Sequence, residues 1–341
     1  MFTVLITADF DHMSEIATRI VIDDIREKNG GKDPYILGLA TGNSPTGLYK
    51  HLAKAVNAHH VDAFRIETFN LDEYVGLPGE NAQQRALHPE SYSYFMIQEL
   101  FGLLRHKFRE TSVPWGTLVD QEKLVSELRA HPSDWEEQGA DRGRAIVIRR
   151  DAESEYLRWI RTDILDGYAK KIAQKGGVDL HIIGVGGRGH VAFHESGIPF
   201  EGKEMLLVKL DENTVSNAVK DGHFAREEDS PRYAVSMGAE LVYRAKTVLL
   251  LANGSRKAAP VAESLLQGPS PMVPISYGQV FSQQGGRMVY VIDSAAAEHL
   301  RGETAELKRR GIEVEDMSDG HAERKVADLA FFRDPDLSLM G

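Results

Sequence analysis

The chain has 341 residues, of which 42% are hydrophobic and 27% are charged, and its 51 acidic and 40 basic residues give a net charge of −11. This composition is typical of a globular protein and excludes a largely disordered one. The negative charge argues against a broad surface for nucleic acid or an anionic membrane. The lack of cysteine excludes disulfides, thiolate metal sites and a cysteine nucleophile.

The predicted location is the cytoplasm. No stretch approaches the ~20 apolar residues that cross a bilayer, and the first residues, "MFTVLITADFDH", lack the layout of a signal peptide. A chain without cysteine also suits a reducing compartment. We therefore expect neither a membrane nor a nucleic acid as a partner.

Short apolar runs alternate with longer segments of helical period along the chain. In chain order, the strand candidates are "TVLI", "YILGLATG", "RIETFNLDEY", "VDLHIIGVG", "KTVLLLANG" and "RMVYVID". The helix candidates are "SEIATRIVIDDIREKNG", "SPTGLYKHLAKAVNAH", "PESYSYFMIQELFGLL", "SEYLRWIRTDILDGYAKKIAQKGG" and "SRKAAPVAESLLQG". Because the later strand candidates are continuously apolar, as strands buried on both faces are, this alternation predicts an α/β fold with a mainly parallel sheet between helices.

The segment from about 105 to 150 has a different character. It is charged, contains two tryptophans and Pro132, and shows only weak periodicity. We interpret it as an insertion or lid within a single domain that spans 1–341. The region 295–341 is predicted to be a C-terminal extension with a helix, a short strand and loose ends.

Four polar clusters follow strand candidates, and ligands bind at this end of the strands in parallel α/β sheets. The first cluster holds Thr41, Gly42, Asn43 and Ser44. Ser44 is predicted to cap the next helix, with Pro45 at its first position. A helix start of this kind attracts an anion, best a phosphate, although the same residues also suit an ordinary strand–helix turn.

The second cluster lies in "LLLANGSRKAAP" and repeats this arrangement. Ser255 is predicted to cap a helix whose first turn carries Lys257. Because a cation opposes the helix dipole at this position, we expect Lys257 to meet an anion that the helix start attracts. The alternative is a solvated surface lysine.

The third cluster is the carboxyl pair Asp72 and Glu73 in "FNLDEYVGLP". If the strand continues, the two side chains point to opposite faces, so one enters a site and the other is structural. A buried carboxylate is suited to shuttle a proton, because lost solvation raises its pKa. The alternative is a loop acid bonded to backbone N–H groups.

The fourth cluster is "GVGGRGHVAFHE", whose glycines let the backbone approach a ligand closely. Its spacing is not the G-x-G-x-x-G of dinucleotide-binding proteins. In an extended loop Arg188 and His190 share a side, and Glu195 can return to meet His190 as a proton relay. The alternative is a structural histidine and a capping acid.

Together these motifs resemble one known family. The matching stretches, in order, are "LGLATGNSPTGLYKHL", "ETFNLDEYVGLP", "HPESYSYFM", "GVGGRGHVAFHESG" and "YAVSMGAELVYRAKTVLLLANGSRKA". They resemble the glucosamine-6-phosphate deaminase/isomerase family, within the wider group that includes 6-phosphogluconolactonases. The resemblance implies a modified Rossmann-like α/β/α sandwich, a phosphorylated sugar as partner, and neither a metal nor an organic cofactor.

The resemblance also implies residue roles. Asp72 corresponds to the base that moves a proton between C1 and C2, and His190 with Glu195 corresponds to the pair that opens the sugar ring. The stretch from Thr41 to Ser44, together with Gly187 and Lys257, corresponds to the substrate and phosphate contacts. An assembly of several identical chains is compatible with the resemblance.

Two positions depart from the family pattern. Arg188 replaces the aspartate that precedes the Gly-His pair, and His194 replaces an asparagine before the glutamate. We expect Arg188 to disfavour a protonated His190 and to pair with Glu195, or to hold a second anionic group of the substrate. The family's D-T-x-x-x-N-S-R arginine has no clean match, and Lys220 is the nearest cation.

The leading hypothesis is a sugar-phosphate aldose–ketose isomerase/deaminase. It acts on an amino-hexose 6-phosphate to give a ketose phosphate and ammonia. The alternatives are a lactonase of a phosphorylated sugar lactone and a non-catalytic sugar-phosphate sensor.

Overall fold

The computed structural model describes residues 1–28, 33–141, 143–220 and 224–319, without the side chains of 213, 217 and 220. The side chain of Lys220, the predicted helix end at 30–31 and the loose ends after 319 therefore lie outside the described residues.

The strands of the described residues form two sheets. They are β1 (Phe2–Thr7), β2 (Tyr35–Leu39), β3 (Ile66–Asn70), β4 (Asp72–Val75), β5 (Glu110–Ser112), β6 (Trp135–Gln138), β7 (Arg144–Ile148), β8 (Leu180–Ile183), β9 (Met205–Lys209), β10 (Tyr233–Met237), β11 (Thr247–Ala252), β12 (Arg287–Asp293) and β13 (Ile312–Asp316). The first sheet has eight strands in the order β13-β1-β12-β11-β8-β2-β3-β5, all parallel. The second has five strands in the order β4-β10-β9-β7-β6, all antiparallel.

Helices follow most strands. They are α1 (Phe10–Lys28), α2 (Thr46–Asn57), α3 (Ala82–Ala86), α4 (Tyr92–Glu99), α5 (Gln121–Ala130), α6 (Glu155–Trp159), α7 (Asp166–Gln174), α8 (Glu212–Lys220), α9 (Ala239–Val242), α10 (Ala258–Leu266), α11 (Gly278–Gln283) and α12 (Thr304–Arg309). A π-helical turn, Ile160–Leu165, joins α6 to α7. No helix among the described residues has both the length and the apolar character needed to cross a bilayer.

The parallel sheet lies between two layers of helices. Along β11, Val248 and Leu250 pack with α7 and α10, whereas Leu249 and Leu251 pack with α1 and α2. Successive side chains of a strand point to opposite faces, so both faces of this sheet are buried. The predicted α/β fold with a mainly parallel sheet is confirmed.

One strand candidate is divided between the two sheets. The sequence "RIETFNLDEY" is predicted as a single strand, but β3 ends at Asn70 and β4 begins at Asp72. The Leu71 amide donates to Leu39 O in the parallel sheet (3.1 Å), while Leu71 O accepts from Met237 N in the antiparallel sheet (2.7 Å). The prediction of one strand is therefore wrong, because apolar periodicity does not reveal a change of hydrogen-bonding partner.

The segment 105–150 is built into both sheets. It supplies β5 at the edge of the parallel sheet and the neighbouring strands β6 and β7 of the antiparallel sheet. The segment therefore pairs with both sheets, and its interpretation as an insertion or lid stays a prediction. At the other end of the chain, α12 and β13 match the predicted helix and short strand, and β13 pairs with β1.

Candidate active site

A cavity of about 380 Å³ opens at the carboxyl ends of β2, β8 and β11, beside the junction of β3 and β4. Its lining residues are Ala40, Thr41, Gly42, Asn43, Ser44, Pro45, Leu71, Asp72, Tyr74, Pro89, Glu90, Ser91, Tyr92, Phe95, Gln98, Gly184, Val185, Gly186, His190, Ala192, Phe193 and Lys257. The volume is in the range of small-molecule sites, about 300–1,000 Å³. The four polar clusters predicted from sequence therefore meet at one edge of the sheet, as the rule for parallel sheets requires.

Asp72 is the first residue of β4 and lines this cavity. Only 5% of the residue is exposed. Burial raises the pKa of its carboxyl well above the ordinary value, and the neighbouring Glu73 charge adds to the rise. None of the described residues offsets this effect with a hydrogen bond to the Asp72 carboxyl. Such a carboxyl is suited to hold a proton temporarily.

Glu73 points away from the cavity and is structural. Its Oε2 accepts from the Ser91 hydroxyl (2.8 Å) and from the amide and hydroxyl of Ser93 (2.9 Å each), while Oε1 accepts from the amides of Tyr74 and Tyr92 (2.9 and 3.0 Å). Burial raises the pKa of Glu73, and these donors partly oppose it. The prediction of one site carboxyl and one structural carboxyl agrees with this arrangement.

His190 lines the cavity, and Glu195 lies behind it. His190 Nδ1 is 3.3 Å from Glu195 Oε2, so the predicted pair forms. The ring packs over Gly186, where an added Cβ would lie 1.8 Å from His190 Nε2. Only glycine therefore permits this ring position, and Nε2 is the ring nitrogen that is not paired with Glu195.

Glu195 is held as an anion. Burial alone would raise its pKa, but His190, the Thr214 hydroxyl and the Asp211 amide together lower the pKa below the ordinary value. Thr214 Oγ1 donates to Oε1 at 2.7 Å. An ionised carboxylate next to Nδ1 fixes a proton on that nitrogen and leaves Nε2 to accept one.

Arg188 and Gly187 are not among the residues that line the cavity. Arg188 forms ion pairs with Asp141 and with Asp211, the latter at 3.3 Å. The expectation that Arg188 pairs with Glu195 or holds a substrate group is therefore not met by the geometry. The sequence pattern misplaced it because the loop turns at Gly189, whose amide donates to Gly186 O (3.0 Å), and does not stay extended.

His194 is a structural residue. Its Nδ1 accepts from the Ala239 amide (3.0 Å), so its Nε2 donates to Ile198 O (3.1 Å). Burial lowers the pKa of His194 to about 4. The histidine is therefore neutral at physiological pH and anchors the loop after His190 to α9.

The first phosphate candidate lies before α2. Thr41, Gly42, Asn43 and Ser44 all line the cavity. The expectation that Ser44 caps α2 is wrong, because α2 has Pro45 at its N-cap without a side-chain hydrogen bond, and Ser44 Oγ instead donates to Asn253 Oδ1 (2.7 Å). This bond ties the loop after β2 to the loop after β11.

The second phosphate candidate lies before α10. Lys257 lines the cavity, and its ammonium donates to Val185 O (2.6 Å). The expected cap by Ser255 is wrong, since a 3₁₀ turn, Ser255–Lys257, precedes α10 and no side chain caps either helix. The Gly254 amide is already bound by the Asp293 carboxylate at 3.0 Å. Lys257, more than the helix start, is therefore the group that can meet an anion.

An aromatic wall was not predicted from the sequence. Tyr92 and Phe193 stack at 5.8 Å with an angle of 9°, and Tyr74 packs against both rings. All three line the cavity. The signal available in the sequence was the "HPESYSY" motif, which places Tyr92 at the start of α4.

Comparison with solved structures shows an α/β fold shared with enzymes of sugar phosphates. A monomeric glucosamine-6-phosphate deaminase matches with a TM-score of 0.64 and 24% identity, over 88% of this chain and 100% of that one. A 6-phosphogluconolactonase from Trypanosoma brucei matches with a TM-score of 0.57 and 16% identity, over 88% and 99% of the two chains. No family model matches the sequence.

Comparison of sequences identifies the family. The glucosamine-6-phosphate deaminase of Clostridium acetobutylicum is 31% identical over 292 residues, which is 86% of this chain and 97% of that one. The deaminase of Thermoanaerobacter sp. (strain X514) is 32% identical over 271 residues, or 80% and 86% of the two chains. The chain belongs to the glucosamine-6-phosphate deaminase family.

Proposed function

We propose that the chain is a sugar-phosphate isomerase/deaminase that converts an amino-hexose 6-phosphate and water into a ketose phosphate and ammonia. The observation that carries this proposal is the pair of buried carboxyls at one cavity. Asp72 faces the cavity with a raised pKa and no donor, while Glu195 stands behind His190 as an anion. The first suits proton transfer at carbon, and the second suits a histidine relay.

In this proposal His190 opens the ring. Its Nε2 takes the proton of the C1 hydroxyl and returns a proton to the ring oxygen, which breaks the C1–O bond of the ring and leaves a C1 aldehyde. Glu195 holds Nδ1–H, so the imidazole keeps one tautomer and is stabilised while it carries the extra proton. The geometry that supports this step is the 3.3 Å contact between Nδ1 and Oε2.

Asp72 then moves a proton between neighbouring carbons. It removes the proton on C2, giving an enolamine, and delivers a proton to C1. Water hydrolyses the resulting C2 iminium to a ketone, and ammonia leaves. The ammonium on C2 of an amino sugar is the opposite charge that favours an ionised Asp72 once substrate binds. A neutral hexose lacks this charge, which favours the amino sugar as substrate.

The phosphate is assigned to the loop from Thr41 to Ser44 and to Lys257. The loop leads into α2, whose first-turn N–H groups are suited to an anion, and Ser44 holds it against the neighbouring loop through Asn253. Lys257 adds a full charge at the same wall of the cavity. This end of the cavity lies beside the glycine-rich loop, and the aromatic wall lies on the side of β4 and α4.

The test is an activity screen that measures ketose phosphate and ammonia together. The panel holds 2-amino-2-deoxyhexose 6-phosphates, the corresponding hexose 6-phosphates and a 6-phosphogluconolactone. We expect equal amounts of ketose phosphate and ammonia from an amino-hexose 6-phosphate. Asp72→Asn, prepared in parallel, shows whether the turnover belongs to this chain.

The other outcomes of the screen identify the alternatives. Hydrolysis of the lactone without ammonia release would make the chain a lactonase, which needs only His190 and the phosphate contacts. Tight binding of a sugar phosphate without any turnover would make it a sensor. Either result overturns the proposed deaminase.

A further inference from the structure

We propose that Arg188 is a positioning residue that fixes the Glu195 carboxylate through Asp141 and Asp211, without touching the substrate. Its kinetic test rests on the proposed function, whereas its spectroscopic test does not. The proposal concerns the position at which the family resemblance expects an aspartate.

Arg188 connects two segments that are distant in sequence. Its guanidinium pairs with Asp141, 47 residues earlier, and with Asp211, 23 residues later. The Asp211 side chain is 5% exposed and that of Arg188 is 43% exposed. Asp141 follows β6, and Asp211 directly precedes α8. The arginine therefore joins the β6–β7 connection to the start of α8.

The α8 side of this link holds Glu195 by hydrogen bonds. The Asp211 amide donates to the Glu195 carboxylate. Thr214, in the first turn of α8, donates its hydroxyl to Glu195 Oε1 at 2.7 Å. The ion pair with Arg188 thus acts on the same residue, Asp211, whose backbone contacts Glu195.

The β6–β7 side holds Glu195 by close packing. An added Cβ at Gly143 would lie 2.4 Å from Glu195 Cβ, so the backbone of this connection rests directly on the side chain. The Ala140 amide donates to Gly197 O (2.8 Å), two residues after Glu195. Asp141 lies between these two contacts in the sequence. Through Asp141 and Asp211, Arg188 therefore binds both of the segments that contact Glu195.

Charge explains why this position needs a cation. Asp141 and Asp211 both pair with Arg188, which supplies the positive charge between the two carboxylates. Without it, a nearly buried Asp211 loses its ion pair, which is costly for a buried charge. Repulsion between carboxylates would then push the start of α8 and the β6–β7 connection away from Glu195.

The direct test is NMR of the histidine side chains at about pH 8.5, where an ordinary imidazole is neutral. His190 is assigned by its loss in His190→Gln. In the wild type we expect the single tautomer with the proton on Nδ1. In Arg188→Met we expect a mixture of both tautomers, and in Arg188→Lys, which keeps the charge, a return toward the wild-type spectrum.

Arg244→Met is the matched control. Arg244 also bridges two carboxylates, Glu204 and Glu240, and its side chain is 50% exposed, but it does not line the candidate site. We expect no change of the His190 tautomer in this variant. An unchanged His190 tautomer in Arg188→Met would overturn the positioning role. If Arg188→Met fails to fold, Asp211→Asn takes its place, because it removes the ion pair with Arg188 from the other side: a mixture of His190 tautomers supports the proposal, and an unchanged tautomer overturns it.

The kinetic test uses the amino-hexose 6-phosphate that the screen identifies. We expect Arg188→Met to lower kcat about tenfold through a misplaced relay, with KM changed less than twofold because Arg188 lies outside the cavity. In the Arg188→Met background, Asp141→Asn should lower kcat little further, because the ion pair between the two residues is already lost. A raised KM with unchanged kcat would instead place Arg188 on the substrate and overturn the proposal. An inactive wild type would count against the proposed function alone, since the tautomer test remains.

Discussion

Two buried carboxyls at the same cavity have opposite electrostatic environments. Asp72 lies at the junction of the two sheets without a donor, and burial raises its pKa. Glu195 is as deeply buried, yet His190, Thr214 and the Asp211 amide lower its pKa. The comparison shows that burial alone does not determine the charge of a carboxyl. The charge is determined by burial together with the hydrogen-bond donors that the fold places around the carboxyl.

The most direct test of this difference is to replace each of the two carboxyls by its amide and to measure kcat. We expect Asp72→Asn to lower kcat about a thousandfold, because a general base at the reacting carbon contributes about 10²–10⁴. Glu195→Gln should lower it only about 30-fold, because His190 is still present to act. Steady-state ammonia release measures both variants. Equal losses would mean that the two carboxyls do not have separate roles.

A smaller effect should follow from displacing the His190 ring. In Gly186→Ala the new Cβ would lie 1.8 Å from Nε2, so the ring must move from its place above the backbone. We expect kcat to fall about tenfold, with the melting temperature little changed.

Gly187→Ala is the control, because a Cβ there meets nothing within 4 Å. It should leave kcat within twofold of the wild type. A large loss of kcat in Gly187→Ala would indicate that Gly187 contacts the substrate, as the family resemblance implies.

The two carboxyls are also expected to affect the stability of the fold in opposite directions when they are replaced. These changes are the smallest of the predicted effects. The raised pKa of Asp72 means that its charge opposes folding once the pH exceeds the ordinary value of about 3.9. Asp72→Asn should therefore be more stable than the wild type at pH 7, by about 1 kcal/mol. Below about pH 3.9 it should show no gain, because the carboxyl is then protonated in both the folded and the unfolded state. A more stable Asp72→Asn would mean that the wild-type carboxyl lowers the stability of the fold in exchange for its role at the site.

Glu195 should show the reverse. Its lowered pKa stabilises the fold above about pH 4.3, and this contribution is lost as the pH falls through the folded-state pKa. Glu195→Gln should thus lose about 2 kcal/mol at pH 7 and little in acid. Urea unfolding of both variants across this pH range measures the signs. Two changes of the same sign would contradict the assigned environments.

Much of the fold could be predicted from the sequence. Apolar runs such as "KTVLLLANG" correspond to strands buried on both faces, because β11 has helices on either side. The antiparallel sheet was missed. Its strands β9 and β10 lie between less regular segments, and their pairing is set by packing and not by a local pattern.

The candidate site was predicted in part. Asp72, His190 and Lys257 all reach the cavity, as the rule for strand ends predicts. Ser44 and Ser255 do not cap their helices, because a local cap motif cannot reveal a stronger competing partner such as Asn253. The roles of these residues in catalysis remain predictions.

By itself, the sequence determined where strands and helices alternate and which chemical groups follow the strands, because burial and backbone preference leave a local pattern in the chain. Only the tertiary structure decided that β3 and β4 part at Leu71 and that Arg188 meets Asp141 and Asp211. The physical reason is that partners far apart in sequence are selected by packing and charge in three dimensions. No spacing between neighbouring residues records that choice.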